Sequence, residues 1–235
     1  MQNNRLKLVE ITQDGSPTIR MNGSSLDPLY TEQMHYSTGA ASETIYIYGE
    51  AVRQAQALIS AAKSRYLVVG LGLGYIEILI SLMTRGEFKH ILSFEKDEDL
   101  VRDFSDWRDL KEFKLYDQVT QSLLDQLQIS LPLDVVKASL KNKLTLNAAL
   151  ESPLNAGSEK FNVICYDAFS SKMDTQLWEA DFLDQFFREY SADQCVFASY
   201  SRTGALNRAL KKNGFKLIER KGFSTKRECT LAIKA

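Results

Sequence analysis

Nowhere in the 235 residues does an apolar run approach the roughly 20 residues that a bilayer-crossing helix needs. The N-terminal Met1-Gln2-Asn3-Asn4-Arg5 likewise has no apolar core of the secretory-signal kind. These absences set the expectation of a cytoplasmic protein without a membrane partner. Cysteine is scarce and odd in number, and Cys165, Cys195 and Cys229 each sit in an apolar stretch that reads as a buried strand. That excludes a disulfide framework and speaks against a zinc site. The only histidines, His35 and His90, read as structural or surface residues rather than general bases, so no metal site is expected. There is no internal repeat and no low-complexity tract. A net charge of -1 gives no global sign of nucleic-acid binding.

What is present is ordinary globular chemistry: 44% hydrophobic and 25% charged residues, enough to bury a core and far from a disordered balance. The length suits one α/β domain with an appendage. Residues 1–63 read as an N-terminal hairpin and cap, and 64–235 as a Rossmann-like domain. Leu6, Leu8 and Ile11 lead into the turn Asp14-Gly15-Ser16-Pro17 and on to Thr18-Ile19-Arg20-Met21. Leu26 to Tyr48 has no clean period, and Gly49 to Lys63 reads as a helix. Tyr46 and Tyr48 alternate there as cap or core residues, with an aromatic wall for a base as the alternative reading.

Beyond Lys63 apolar runs alternate with helical patterns, the mark of βαβ units feeding a parallel sheet. Strands are predicted at Tyr66–Val69, His90–Phe94, Lys143–Leu146, Phe161–Tyr166 and Gln194–Tyr200. Helices are predicted at Ile76–Thr84, at Asp97–Phe104, where Asp97-Glu98-Asp99 reads as a solvated start, and at Gln118–Gln128 within a long connection. Phe215–Glu219 and Cys229–Ile233 suggest an antiparallel edge.

Three features carry chemistry. Gly70, Gly72 and Gly74 follow a buried strand and open a helix, so the chain can turn sharply and present bare backbone and amides to a ligand. Glu95 ends the next strand at the interval where an acid meets ribose hydroxyls in nucleotide-binding α/β folds. Asp167 ends the fourth strand, where ligands of open sheets bind, so it should face the same crevice. Tyr75 stands where a dinucleotide fingerprint wants its last glycine, which weakens an NAD or FAD reading.

The Gly70-Leu71-Gly72-Leu73-Gly74 form resembles motif I of class I methyltransferases, which implies S-adenosylmethionine as cofactor. From about Leu26 onward the chain resembles the MnmC-like methyltransferases, which complete the methylaminomethyl group on the wobble thiouridine of certain tRNAs. The resemblance rests on Leu26-Asp27-Pro28-Leu29-Tyr30 and on His35-Tyr36-Ser37-Thr38-Gly39-Ala40-Ala41-Ser42-Glu43. It rests also on Asp167-Ala168-Phe169-Ser170-Ser171-Lys172 leading to Gln176-Leu177-Trp178. Its most specific part is Tyr200-Ser201, Arg208-Ala209-Leu210, Gly214-Phe215, Arg220-Lys221-Gly222-Phe223 and Lys226-Arg227-Glu228.

That resemblance implies Asp167 as the residue holding the acceptor amine, with the glycines, Glu95 and Glu43 on the cofactor. It sets Tyr36, Phe169 and Trp178 beside the substrate. Relatives carry Gly-Asp-Ala after the third strand; here Leu146-Asn147-Ala148 stands instead, and Asn147 takes the adenine amine. The fused FAD-dependent oxidase domain of bifunctional relatives is not in this sequence, so a separate oxidase acting on the same tRNA position is the implied partner.

From Ser201 to Ala235 basic residues outnumber acids, and Arg202, Arg208, Lys221, Lys226 and Arg227 form the expected tRNA backbone surface. Two other readings share the residues: an aminopropyltransferase of the spermidine synthase type, and a cofactor- and RNA-binding module without catalysis.

Overall fold

Turn chemistry at Asp14 to Ser16 does more than close a hairpin. The computed structural model describes residues 8–22, 31–35, 37–147, 150, 159–224 and 228–235. Strands β1 (Leu8–Ile11), β2 (Pro17–Asn22) and β3 (Thr31–Gln33) form an antiparallel sheet with β2 in the middle. Helix α1 (Ala40–Leu58) follows, and its N-cap residue Gly39 has no side chain to cap it. The hairpin turn supplies the cap instead. Ser16 Oγ accepts from the amides of Ala40 and Ala41 at 3.1 and 3.0 Å. Asp14 Oδ2 accepts from the Ser42 amide at 3.0 Å and from its hydroxyl at 2.6 Å. These bonds satisfy amides that every helix start leaves open.

The same contacts set the charge state of Asp14. Burial alone would raise its pKa, but hydrogen bonds from Ser16, Ser42 and Thr12 prevail and pull it down to about 2. An unfolded aspartate titrates at about 3.9, so the charged cap contributes stability above that pH and loses it as pH falls toward 2. Asp14→Ala is therefore expected to cost about 1–2 kcal/mol at pH 7, the range of a lost helix cap on a partly exposed residue. Urea unfolding should show the gap between wild type and variant closing between about pH 4 and pH 2.

This remote cap explains a departure from the predicted helix at 49–63. Helix α1 begins at Ala40 and ends at Leu58, and Ala61–Lys63 form a separate 3-10 turn. Its buried stripe, Ala40, Ala41, Thr44, Ile47, Tyr48, Ala51, Val52 and Ala55, is rich in small residues. Such a stripe has helical spacing but little contrast with the polar face.

A seven-stranded sheet follows. In chain order come β4 (Arg65–Val69), α2 (Tyr75–Met83), β5 (His90–Phe94), α3 (Glu98–Arg108), α4 (Lys114–Leu127), α5 (Leu133–Lys141) and β6 (Leu144–Asn147). Then come β7 (Phe161–Tyr166), α6 (Ala180–Tyr190), β8 (Ser191–Ser199), α7 (Gly204–Lys212), β9 (Lys216–Ile218) and β10 (Thr230–Lys234). The spatial order is β6-β5-β4-β7-β8-β10-β9. Strands β4 to β8 pair in parallel, and β10 runs antiparallel to both its neighbours. This is the Rossmann-like α/β sheet with an antiparallel C-terminal edge that the sequence implied.

Both faces of the central strands are buried. Tyr66 and Val68 of β4 pack into one core with α1 to α5, while Leu67 and Val69 pack into another with α6 and α7. Period-two alternation is thus preserved, yet the strand reads as continuously apolar because both of its faces are covered. Strand order reverses at β4, with β5 and β6 on one side and β7 and β8 on the other. The carboxyl ends beside such a reversal open a crevice.

Candidate functional site

The turn after β4 is built from glycines for two different reasons. Gly70 has φ +95°, and a β-carbon there would sit 2.6 Å from the Asp167 carbonyl oxygen, so the chain end of β7 occupies the space a side chain would need. Gly74, at φ +71°, lies against the Phe104 ring and serves helix packing; it is not among the residues around the cavity. The amides of Gly70 and Leu71 donate to the Phe94 carbonyl at 3.0 and 3.2 Å, and that of Gly74 to the Leu71 carbonyl. Gly72 N–H donates to Glu95 Oε2 at 3.0 Å. The loop therefore offers a ligand bare Cα surface, while these amides brace β5 and the turn itself.

Glu95, 9% exposed, takes its second bond from the Asp97 amide to Oε1 at 2.9 Å. Burial raises its pKa, and the Asp97 and Gly72 amides draw it partly back. Asp97 in turn caps α3 through the amides of Asp99 and Leu100, so the acid run there is a helix start as read. Beneath the loop Glu77 is fully buried, with Ser93 Oγ donating to its Oε1 at 2.6 Å. Burial, followed by the charges of Asp167 and Glu95, pushes Glu77 up to about 8.

Asp167 stands across from Glu95. Its amide donates to the Val69 carbonyl at 2.8 Å, which ties the end of β7 to the end of β4. Tyr48 Oη, from α1, donates to Asp167 Oδ1 at 2.5 Å, and Tyr200 Oη donates to the Ala168 carbonyl at 2.9 Å. One cavity of about 740 Å³ is lined by Gly70, Gly72, Glu95, Glu43, Asp167 and Phe169 together. That volume is in the range of small-molecule sites.

Other predicted residues lie elsewhere. Asn147 ends β6 with an exposed side chain, and its carbonyl accepts from the Glu95 amide at 3.1 Å; it is not among the lining residues. Trp178 is buried behind the wall, its indole N–H donating to the Phe169 carbonyl at 2.7 Å. Arg202 pairs with Glu228 at 2.7 Å, and Arg208 and Lys221 are exposed outside the cavity. Leu26 to Tyr30, Tyr36, Lys226 and Arg227 lie outside the described residues.

Sequence reasoning missed part of the lining. Met34 and His35 follow β3 and line the cavity, with Met34 Sδ against Gly72 and His35 edge-on to Tyr75 at 4.8 Å. His35 Nδ1 also meets Thr18 Oγ at 3.2 Å, so it is held as a structural residue inside the site. Lys96, next to Glu95, forms an ion pair with Asp174 and joins the loops after β5 and β7. The position of Lys96 beside a strand-end acid was the available signal. Arg220, part of the Arg220-Lys221-Gly222-Phe223 motif, is half-buried and turns toward α1. It stacks on Tyr46 at 4.0 Å and donates to the carbonyls of Tyr46 and Ile47, which pins the segment after β9 to α1.

A crevice at the strand reversal, a glycine-cornered turn and a buried acid after the second parallel strand define a nucleotide-binding Rossmann-like domain. The chain belongs to the S-adenosyl-L-methionine-dependent methyltransferase family, whose model matches residues 111–235. That span holds Asp167 and the C-terminal lobe, while the glycine loop and Glu95 precede it. An uncharacterised protein of Methanocaldococcus jannaschii is 26% identical over 227 residues, 97% of this chain and 59% of that protein. The tRNA 5-methylaminomethyl-2-thiouridine biosynthesis bifunctional protein MnmC of Hahella chejuensis is 31% identical over 67 residues, 28% of this chain and 10% of MnmC. The chain thus spans less than two thirds of either relative. MnmC2 from Aquifex aeolicus shares the fold, with TM-score 0.65 and 24% identity over 98% of this chain and 71% of MnmC2. The MnmC-like resemblance is borne out at this level.

The cofactor is S-adenosylmethionine, and the site's chemistry fits it. Its lining carries the acids Glu43, Glu95, Asp167 and Asp174, suited to a sulfonium cation, and Glu95 is a buried acceptor suited to ribose hydroxyls. Among the described residues no helix is long and apolar enough to cross a membrane.

Proposed function

We propose that the protein is an N-methyltransferase acting on the aminomethyl group of the wobble uridine in tRNA. One observation carries the reading: Asp167 and Glu95 line the same cavity from the ends of β7 and β5. In this reading Gly70, Gly72, Glu95 and Glu43 hold the cofactor, which supplies a methyl group activated on a sulfonium. Asp167 accepts a hydrogen bond from the acceptor amine and aims its lone pair at that methyl. Phe169 and Tyr36 bound the acceptor.

A free alkylamine is mostly protonated at pH 7, with a pKa near that of lysine at about 10.4, so the site must take up the neutral form. Arg202, Arg208, Lys221, Lys226 and Arg227 are proposed to meet the tRNA backbone. The pinning of Arg220 onto Tyr46 supports this, because it holds Lys221 next to the helix that carries Ile47 and Tyr48 into the cavity. An FAD-dependent oxidase working on the same tRNA position is the proposed partner.

The test is incubation with methyl-labelled S-adenosylmethionine and tRNA lacking the final methyl group, followed by nucleoside analysis. Label should enter methylaminomethyl-uridine, and the rate at low tRNA concentration should fall steeply with added salt as phosphate contacts are screened. Absence of label in any such tRNA, with cofactor bound, would overturn the substrate assignment.

A further inference from the structure

A buried phenol must find an acceptor, and Tyr48, 3% exposed in the middle of α1, has two at hand. The Tyr166 carbonyl is 3.4 Å from its hydroxyl, and Asp167 Oδ1 is 2.5 Å away. The short bond goes to the carboxylate, and an O–H···O⁻ bond is about twice as strong as a neutral one. Burial, followed by the charge of Asp167, raises Tyr48 well above the ordinary tyrosine value, so it remains a donor across the working pH range.

The main chain around Asp167 has anchors besides the long contact from Tyr48 to the Tyr166 carbonyl. Its amide is bonded to Val69, its carbonyl sits under Gly70, and the next carbonyl is held by Tyr200. Tyr48 acts instead on the side chain, at Oδ1 of the carboxylate.

We propose that Tyr48 is a positioning residue for methyl transfer: it fixes the plane of the Asp167 carboxylate and favours its ionised form, so that Asp167 orients the amine without taking its proton. This rests on the reading of Asp167 as the residue that holds the acceptor. The nitrogen lone pair forms the new bond to carbon, the carbon–sulfur pair returns to sulfur, and the ammonium of the incoming amine has already released its proton to solvent. Among the described residues, titratable groups that act on Asp167 or share its cavity include Glu77 from α2, Cys165 on β7, Tyr200 after β8, Glu43 of α1, His35 after β3, and Glu95, Lys96 and Asp174 from the loops after β5 and β7.

Tyr48→Phe removes one oxygen and keeps the ring. The expected result is a fall in kcat of about tenfold or more, the loss of one charge-assisted hydrogen bond, with cofactor affinity and tRNA KM unchanged. The second readout needs no turnover. In NMR of the protein with aspartate labelled at the carboxyl carbon, the signal missing in Asp167→Asn belongs to Asp167. Its titration midpoint should rise by about one pH unit in Tyr48→Phe. Adding Tyr48→Phe to Asp167→Asn should cost little more, because the two act as one unit. An unchanged kcat and an unmoved midpoint in Tyr48→Phe, with Asp167→Asn inactive, would overturn the role of Tyr48 alone. A fully active Asp167→Asn would overturn the reading beneath it.

Discussion

Asp167→Ala should lower kcat by on the order of 100-fold or more while leaving S-adenosylmethionine affinity close to wild type. The magnitude follows from what the carboxylate is proposed to do: a misaimed amine reacts rarely even when bound, while the proposed cofactor contacts, Gly70, Gly72, Glu95 and Glu43, do not use the Asp167 side chain. Folding should survive, because the backbone bond from Asp167 to Val69 does not involve the side chain. The buried Tyr48 hydroxyl would lose its short partner, a cost of about 1–3 kcal/mol, which a thermal melt should register as a modest loss. Single-turnover rates and a binding isotherm separate the two effects. Full turnover in a folded Asp167→Ala protein would remove Asp167 from the mechanism.

Glu95→Ala has the second large effect, and it falls on affinity. The carboxylate accepts from Gly72 on one oxygen and from Asp97 on the other, so it joins the glycine turn to the start of α3. Losing it frees two amides, removes the proposed ribose acceptor and loosens the turn that the cofactor would rest on. Cofactor Kd should rise by about 30-fold or more, corresponding to the loss of one to two hydrogen bonds to a charged group. At saturating cofactor kcat should change far less, because Glu95 does not approach the acceptor in this reading. Calorimetric titration checks the first statement and saturation kinetics the second. A Glu95→Ala protein that binds with wild-type affinity would put the nucleotide elsewhere.

Much of the frame was legible in the sequence. Strands β5 and β7 fall at His90–Phe94 and Phe161–Tyr166 as predicted, because short apolar runs flanked by polar turns leave little freedom to a sheet buried on both faces. The position of Glu95 was legible for the same reason, since an acid after a buried strand has one place to go. Helix α5 (Leu133–Lys141) was hidden inside a connection from which only the α4 pattern stood out. Strand β8 starts at Ser191 rather than Gln194, where its pairing with β7 shifts register between Phe161 and Val163.

The rest depended on contacts that no local pattern records. Helix α1 is capped by Asp14 and Ser16 from a hairpin far upstream, so its start at Ala40 left no signature beside it. Tyr48 was read as a cap or core residue or as part of an aromatic wall, whereas it is bonded to an acid 119 positions away in sequence. The glycine amides were expected to face a ligand, yet they are spent on Phe94, Leu71 and Glu95. Glycines are required here for chain crossing and close packing, a role that the spacing alone does not distinguish from ligand binding.

The most direct measurement is a crystal structure with S-adenosylhomocysteine bound. The ribose hydroxyls are predicted within about 3 Å of Glu95, with the sulfur directed toward Asp167 and the nucleoside lying against Gly70 and Gly72. A nucleoside bound away from Glu95, or a sulfur facing a wall that does not include Asp167, would contradict the account.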